Sequence, residues 1–298
     1  IRRSQPSRAA PMISVLILTR NEERDLPGCL DSVAWSDDVH VFDSLSDDAT
    51  LAVAHGRGAK VRQRQFDNYA AQRNAALHGL DFKYPWVLVL DADERVPEAM
   101  RSEILDRVTA GADDIAAFRI RRRDFLGNTW LKRSQLSPWY VRLVRPDRVR
   151  YERLVNEILK VDGRILDLEQ PFDHHPFSKG MAHWLAKHNT YSTMEARHIV
   201  EGRRSHSPFS VTQAFFNRDF NERRYHQKEL FYRLPGRPLV KFLLIYFFRL
   251  GLLDGRAGLT YATLQAIYEY MIVLKTREIR NAEGRDMMHP DRPQAHKT

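Results

Sequence analysis

Three acids close an apolar run in the segment Val87-Leu-Val-Leu-Asp-Ala-Asp-Glu94, and their spacing sets the chemistry open to the chain. Asp91 and Asp93, separated by one small residue, can converge on a single hard cation. A divalent ion held by only one or two protein carboxylates fills its shell with water and phosphate oxygens. The pair therefore predicts a divalent metal carrying a phosphorylated substrate. The plain alternative is an acidic turn after a core strand, since short motifs recur without function.

A run of Val and Leu with no polar interruption suits a strand buried on both faces of a parallel sheet. Charges cannot follow it into that core, so Asp91, Asp93 and Glu94 are expected to emerge at its carboxyl edge, where open α/β sheets bind ligands. Upstream the chain alternates. Ile13 to Thr19 reads as a strand, and Asn21, Glu22 and Glu23 open a helix with Leu26, Leu30 and Val33 on one face. Val39 to Phe42 is a second strand stopping at Asp43, and Ser46, Asp47 and Asp48 cap a helix around Thr50 to Ala54. Val61 starts a third strand after the Gly56-Arg-Gly58 turn, Tyr69 to Leu80 is helical, and Trp86 to Leu90 is the buried strand. Such alternation implies an α/β fold with a doubly wound, mainly parallel sheet and right-handed crossovers. Asp43 and Asp91 then line one edge.

Composition bounds the rest. The 298 residues are 43% hydrophobic, enough for a real core. The single cysteine, Cys29, excludes a disulfide framework and a cysteine-rich zinc site, and reads as a buried filler on the first helix. A reducing, cytoplasmic location is expected. The apolar run Met12 to Leu18 is too short for a secretory core, and no stretch reaches the roughly 18 apolar residues of a membrane span. A net charge of +9, from 47 Lys and Arg against 38 Asp and Glu, attracts polyanions or anionic membrane. Nucleic acid is not expected: the basic residues are spread out, with no cysteine-histidine finger, aromatic RNA-sheet signature or basic zipper.

Four segments in order, Ile13-Ser-Val-Leu-Ile-Leu-Thr-Arg-Asn-Glu-Glu, Val41-Phe-Asp-Ser-Leu-Ser-Asp-Asp-Ala-Thr, Gln72-Arg-Asn-Ala-Ala-Leu and Leu90-Asp-Ala-Asp-Glu-Arg-Val, resemble the nucleotide-sugar-binding half of glycosyltransferase family 2, which has the GT-A fold. Downstream the resemblance is looser, toward bacterial lipopolysaccharide-core and exopolysaccharide glycosyltransferases. Val155-Asn-Glu stands where those enzymes often have Val-His-Glu, and Pro171-Phe-Asp-His174, Phe177-Ser-Lys-Gly and Lys187-His-Asn-Thr-Tyr-Ser resemble their acceptor side. The resemblance implies a nucleoside diphosphate sugar donor, a UDP-sugar being the first choice, with Mn2+ or Mg2+. It puts Thr19, Asn21 and Glu22 against base and ribose, Asp43 on the base, and Arg73 on base or phosphates, a guanidinium suiting either. Asp91 would meet the ribose or a metal water, and Asp93 would ligate the metal, whose work is leaving-group stabilisation. Each has a bland rival as a helix cap or a solvated residue.

Transfer also needs a base for the acceptor hydroxyl. Glu157, the acid of Val-Asn-Glu, is the first choice, with Asp173 and Asp124 as fallbacks; its rival reading is a surface partner of Arg150 or Arg153. His174, more than His175, is the candidate to complete the metal shell, imidazole suiting Mn better than Mg. The basic, aromatic tract Arg119 to Arg153 could cradle a phosphate-bearing or lipid-linked glycan acceptor, aromatic faces suiting sugar rings.

From Lys179 on the chain reads as helical: Met181 to Glu195, Val211 to Tyr232, Pro238 to Leu253 and Leu259 to Ile279. The third carries Phe242-Leu-Leu-Ile-Tyr-Phe-Phe, flanked by Lys241 and Arg249. It fits an interfacial helix better than a span, and equally a hairpin packed on the transferase or on a second copy. The expected organisation is a mobile arm over 1–11, a GT-A domain over 12–235 divided at 97/98, a helical hairpin over 236–281, and a mobile tail over 282–298. The function expected is inverting, metal-dependent sugar transfer to a cell-surface polysaccharide, lipopolysaccharide or lipid-linked glycan. The alternatives are nucleotidyl or phosphoryl transfer, for which no Gly-rich phosphate loop is present, and a non-catalytic membrane or nucleic-acid binder on the same scaffold.

Overall fold

The computed structural model describes residues 12–110, 112–152, 158–205, 210–216 and 220–288. They fall into two compact units, one of 12–130 with 136–179, the other of 131–135 with the described residues from 180 onward. The division thus falls at 180 rather than near 235, because the long helices beyond it pack on one another.

In the first unit, strands β1 (Ser14–Thr19), β2 (Val39–Asp43), β3 (Lys60–Gln63) and β4 (Val87–Asp91) alternate with helices α1 (Leu26–Ser32), α2 (Thr50–Gly56) and α3 (Tyr69–Gly79). Then come β5 (Glu94–Arg95), α4 (Glu98–Ala110), β6 (Ile115–Ile120), β7 (Arg122–Leu126), β8 (Thr129–Trp130), β9 (Tyr140–Val144), β10 (Val149–Glu152), β11 (Ile158–Val161), β12 (Arg164–Asp167) and β13 (Phe172–His174). The main sheet has the order β12-β6-β9-β4-β1-β2-β3. β9 alone runs against its neighbours; the other six strands share one direction. This is the mainly parallel α/β sheet expected. A smaller sheet, β5-β13-β7-β8, and the hairpin β10-β11 complete the unit.

Burial on both faces explains the unbroken Val and Leu runs. On β1, Val15 and Ile17 join a core shared with Leu26, Cys29 and Leu30 of α1 and Met100 and Ile104 of α4. Leu16 faces the opposite core, with Ala76 and Leu77 of α3. On β4, Leu88 and Leu90 go one way, Val87 and Val89 the other. Each such side chain contributes about 1.5–3 kcal/mol on burial. Thr19 pairs with Asp43, and Leu18 with Asp91, so the carboxyl ends of β2, β1 and β4 finish level and the two acids share one edge.

Three local expectations give way. Asn21 does not open the first helix: it stands in the left-handed region at φ 56 and spends its side chain on a neighbouring loop, so α1 begins only at Leu26, with Pro27 in its first turn. In the second unit the helices are α5 (Met181–Ser205), α6 (Val211–Phe216), α7 (Phe220–Arg233), α8 (Arg237–Leu243) and α9 (Gly255–Met288). α9 carries the chain seven residues past the expected end of the hairpin at 281, through what read as the start of a tail. The expected helix Pro238 to Leu253 is broken into α8, a π turn over Leu244–Phe248 and a 3-10 turn over Gly251–Asp254.

Candidate active site

Asp91 ends β4 with its side chain 40% exposed, and its Oδ2 accepts from Arg142 Nη2 at 2.9 Å. The same Arg142 nitrogen donates to Glu94 Oε1 at 2.6 Å, while Glu94 Oε2 accepts the Asp91 backbone N–H at 2.9 Å. Glu94 is therefore no rim acid. The turn after β4 folds it back into the core, fully buried, because Arg142 waits there in the middle of β9. Burial pushes the Glu94 carboxyl up to about 7, with Arg142 opposing and Asp91 and Asp93 adding to the rise. For Asp91, burial is outweighed by Arg142 and then by Arg73, which hold its carboxyl below the usual range. Arg142 is itself buried, yet Glu94 and Asp91 more than compensate and raise it above the ordinary guanidinium value.

The second constellation is built by β13. His174 registers with Glu94 of β5 on one side and Asp124 of β7 on the other. Its Nδ1 lies 2.5 Å from Oδ1 of the buried Asp124, which Arg122 also holds at 3.0 Å. Its Nε2 then faces Asp93 Oδ2 at 3.3 Å. Burial works against the imidazolium, but the bonds to Asp124 and Asp93 prevail and push His174 up to about 9. The geometry also suits a cation. Donors at adjacent corners of an octahedron with bonds of about 2.1 Å stand about 3.0 Å apart, and a ligating imidazole is commonly oriented by a carboxylate on its other nitrogen. Among the described residues, no three His, Cys, Asp or Glu side chains form a cluster that could hold a metal. Asp93 and His174 would thus hold an ion only together with substrate oxygens or water.

Around this pair, loops are tied by polar side chains. Thr19 Oγ1 and Ser46 Oγ donate to Asp43 Oδ1 at 2.8 and 2.5 Å; the Ser46 N–H and Gln63 Nε2 donate to Oδ2 at 2.8 and 3.1 Å. Asp43 is fully buried, so it acts on the loop that follows it. Asn21 donates its N–H to Ser46 Oγ at 2.8 Å and accepts the Asp47 N–H at 3.0 Å. Ser46 and Asp47 are thus engaged here, and of the three expected caps of α2 only Asp48 bonds its first turn, accepting the Thr50 N–H at 2.9 Å. Lys179 Nζ donates to the Asn21 carbonyl at 2.7 Å and to Glu22 Oε1 at 2.6 Å. Glu22 Oε2 is buried with no hydrogen-bond partner among the described residues. Burial, with help from Asp93 and Asp25 and against Lys179, pushes Glu22 up to about 7. Arg73 on α3 lies over the Tyr151 ring at 5.3 Å, near enough to Asp91 to act on its charge.

The remaining expectations divide. Glu157, with Asn156 and Arg153, lies outside the described residues. Both fallback bases are engaged: Asp124 as above, and Asp173 with Arg123 at 2.5 Å. His175 turns away from the cation pair and stacks on Phe125 at 5.2 Å, beside a cavity of about 320 Å3 lined by Asp25, Arg95, Phe177 and Ser178. The basic tract spends much of itself internally: Arg119 and Arg121 lie over Trp139, Arg122 over Tyr140 and Arg123 over Trp130. Sequence reading missed Arg142, the burial of Glu94, the orienting role of Asp124 and the reach of Lys179. One signal was present: an Arg inside Tyr140-Val-Arg-Leu-Val, an otherwise apolar strand, demands a buried counter-charge.

Comparison with known proteins is consistent with these motifs. The chain is 28% identical over 272 residues, 88% of its length and 91% of the relative's, to the lipopolysaccharide core biosynthesis glycosyltransferase LpsC of Rhizobium meliloti. Over 93 residues, 31% of each chain, it is 36% identical to an uncharacterized glycosyltransferase of Rickettsia bellii. Glucosyl-3-phosphoglycerate synthase of Mycobacterium tuberculosis, solved with Mn2+ and UDP-glucose, is similar over 39% of this chain and 45% of its own, at 22% identity and a TM-score of 0.33. Residues 14–165, which hold β1 to β4 and the candidate residues Thr19 to Glu157 but not Asp173, His174 or His175, match the family Glycosyl transferase family 2. The chain belongs to that family and is a glycosyltransferase.

Proposed function

We propose that this glycosyltransferase moves a sugar from a nucleoside diphosphate sugar, a UDP-sugar first among donors, to a hydroxyl of a lipopolysaccharide-core or related lipid-linked glycan, with inversion and with a divalent cation at Asp93 and His174. The observation that carries the reading is the His174 imidazole, clamped by buried Asp124 and aimed at Asp93 from 3.3 Å. The acceptor class is supported by the similarity to a lipopolysaccharide core biosynthesis glycosyltransferase. Transfer would run on the cytoplasmic face of the inner membrane.

A bound divalent ion would neutralise the departing diphosphate as a Lewis acid. The protein's own groups do the rest. Glu22, whose buried Oε2 has no hydrogen-bond partner among the described residues, takes a ribose hydroxyl, which satisfies that oxygen. Thr19, Asn21 and Asp43 set the loop against the base. Asp91, held by Arg142, faces the ribose, and Arg73 meets the base or the phosphates. The acceptor oxygen bonds to the anomeric carbon as the bond to the diphosphate oxygen breaks on the opposite face. The acceptor proton passes to a carboxylate, Glu157 by resemblance to the family's motif.

A panel of nucleoside diphosphate sugars, titrated with Mn2+ or Mg2+, tests this. The expected result is thermal stabilisation by one donor with metal and release of free nucleoside diphosphate, both lost in Asp93→Ala. Metal-independent donor binding unchanged by that substitution would reject the cation site; pyrophosphate release would reject sugar transfer.

A further inference from the structure

Between α8 and α9 the helical unit makes a corner that holds its apolar side chains out. Phe247 and Phe248 are 50% and 83% exposed, and Leu250, Leu252 and Leu253 are 45%, 40% and 62% exposed. Burial of apolar area is the main driving force of folding, so such a corner needs a reason. It is also built firmly. The Asp254 carboxylate accepts the backbone N–H of Arg133 at 3.0 Å and of Ser134 at 2.7 Å, and the Ser134 hydroxyl at 2.6 Å. Leu250 stands at φ 59, a strained conformation for a branched side chain. A Cβ at Gly258 would lie 1.9 Å from the Gly251 carbonyl oxygen, so only glycine lets α9 close on the turn.

The rim is cationic. Arg256 is exposed and Arg249 half-buried, and the contacts to Asp254 bring in the exposed Lys132 and Arg133 from the short excursion at 131–135. Asp254, the only acid between 236 and 260, is taken up by those contacts. No helix among the described residues is long and apolar enough to cross a membrane.

We infer that this corner is an interfacial anchor: Phe247, Phe248, Leu250, Leu252 and Leu253 enter the acyl boundary of an anionic lipid surface while Lys132, Arg133, Arg249 and Arg256 meet its headgroups. Charge decides between occupants. A second copy docked face to face would set the same cations against each other, in a chain already at +9, whereas anionic headgroups neutralise them. Attachment by such a corner is interfacial, and its strength follows buried apolar area plus electrostatic attraction.

Vesicle co-sedimentation of the full chain tests the anchor, with phosphatidylcholine alone and mixed with phosphatidylglycerol. No nucleotide is present, so the outcome is separable from the donor reading. Binding is expected only with phosphatidylglycerol, weakened by salt, and weakened about tenfold or more by Phe247→Ser/Phe248→Ser. Lys132→Gln/Arg133→Gln weakens it too, while both variants keep the wild-type melting transition. Phe248→Trp should show blue-shifted fluorescence quenched by brominated lipid. Equal binding to both vesicles, no binding, or indifference to the Phe substitutions would overturn the inference. So would a dimer in light scattering that Phe248→Ser dissolves.

Discussion

His174→Gln tests the imidazolium between Asp93 and Asp124. In the fold its pKa is pushed from 6.5 to about 9, by the bonds to Asp124 and Asp93 and against burial. A basic group raised in this way contributes stability that is fully present below 6.5 and is lost as pH rises through about 9. At about 1.36 kcal/mol per pH unit, the full interval is worth about 3 kcal/mol. Glutamine carries no proton to lose, so the wild type's advantage over His174→Gln should shrink by about 2 kcal/mol between about pH 7.5 and about pH 9.5. Starting there also avoids most of the titration of Glu22 and Glu94 near 7. Urea unfolding followed by tryptophan fluorescence is the assay, since all five tryptophans but Trp184 lie in the first unit. A gap that stays constant over this window, or widens with pH, would mean His174 is neutral in the fold and refute the carboxylate clamp.

Three further outcomes are expected. Arg142→Met should cost about 3–5 kcal/mol in the same unfolding assay, because it strands Glu94 and Asp91 without their counter-charge; Glu94→Gln added to it should recover part of the loss. Glu22→Gln should gain about 2–3 kcal/mol on the wild type as pH rises from 4.5 to about 7, because ionising the buried wild-type carboxyl costs stability across that window, while loss of the Lys179 contact lowers the variant by a pH-independent offset. Glu157→Gln should leave donor affinity within about twofold while lowering turnover by about 100-fold or more, read by calorimetry and nucleoside diphosphate release; retained turnover would assign the base elsewhere.

Much of the fold was legible in residue order. Unbroken Val and Leu runs announced strands buried on both faces, and the acid closing each run located the rim. Helix starts were less legible: Asn21, Glu22 and Glu23 look like caps, but in the fold their N–H groups and side chains bond to Ser46, Asp47, Asp48, Ala49, Thr50 and Lys179, all distant in sequence. The far end of α9 was hidden because its last turns are polar, and periodicity gives no signal without an apolar stripe.

Read alone, the chain's residues determined the α/β class, the family and the edge at which Asp43 and Asp91 lie, because hydrophobic period and strand-terminal acids are local properties. What each acid does at that edge was decided only by the tertiary structure. Asp91, Asp93 and Glu94 lie within four residues, yet one is paired with Arg142 at the rim, one faces His174, and one is buried. The difference comes from Arg142, which the fold brings to Asp91 from 51 positions away, and from His174, which is clamped by Asp124 from 50 positions away. In a low-dielectric interior a charge must find its counter-charge, whatever the distance along the chain.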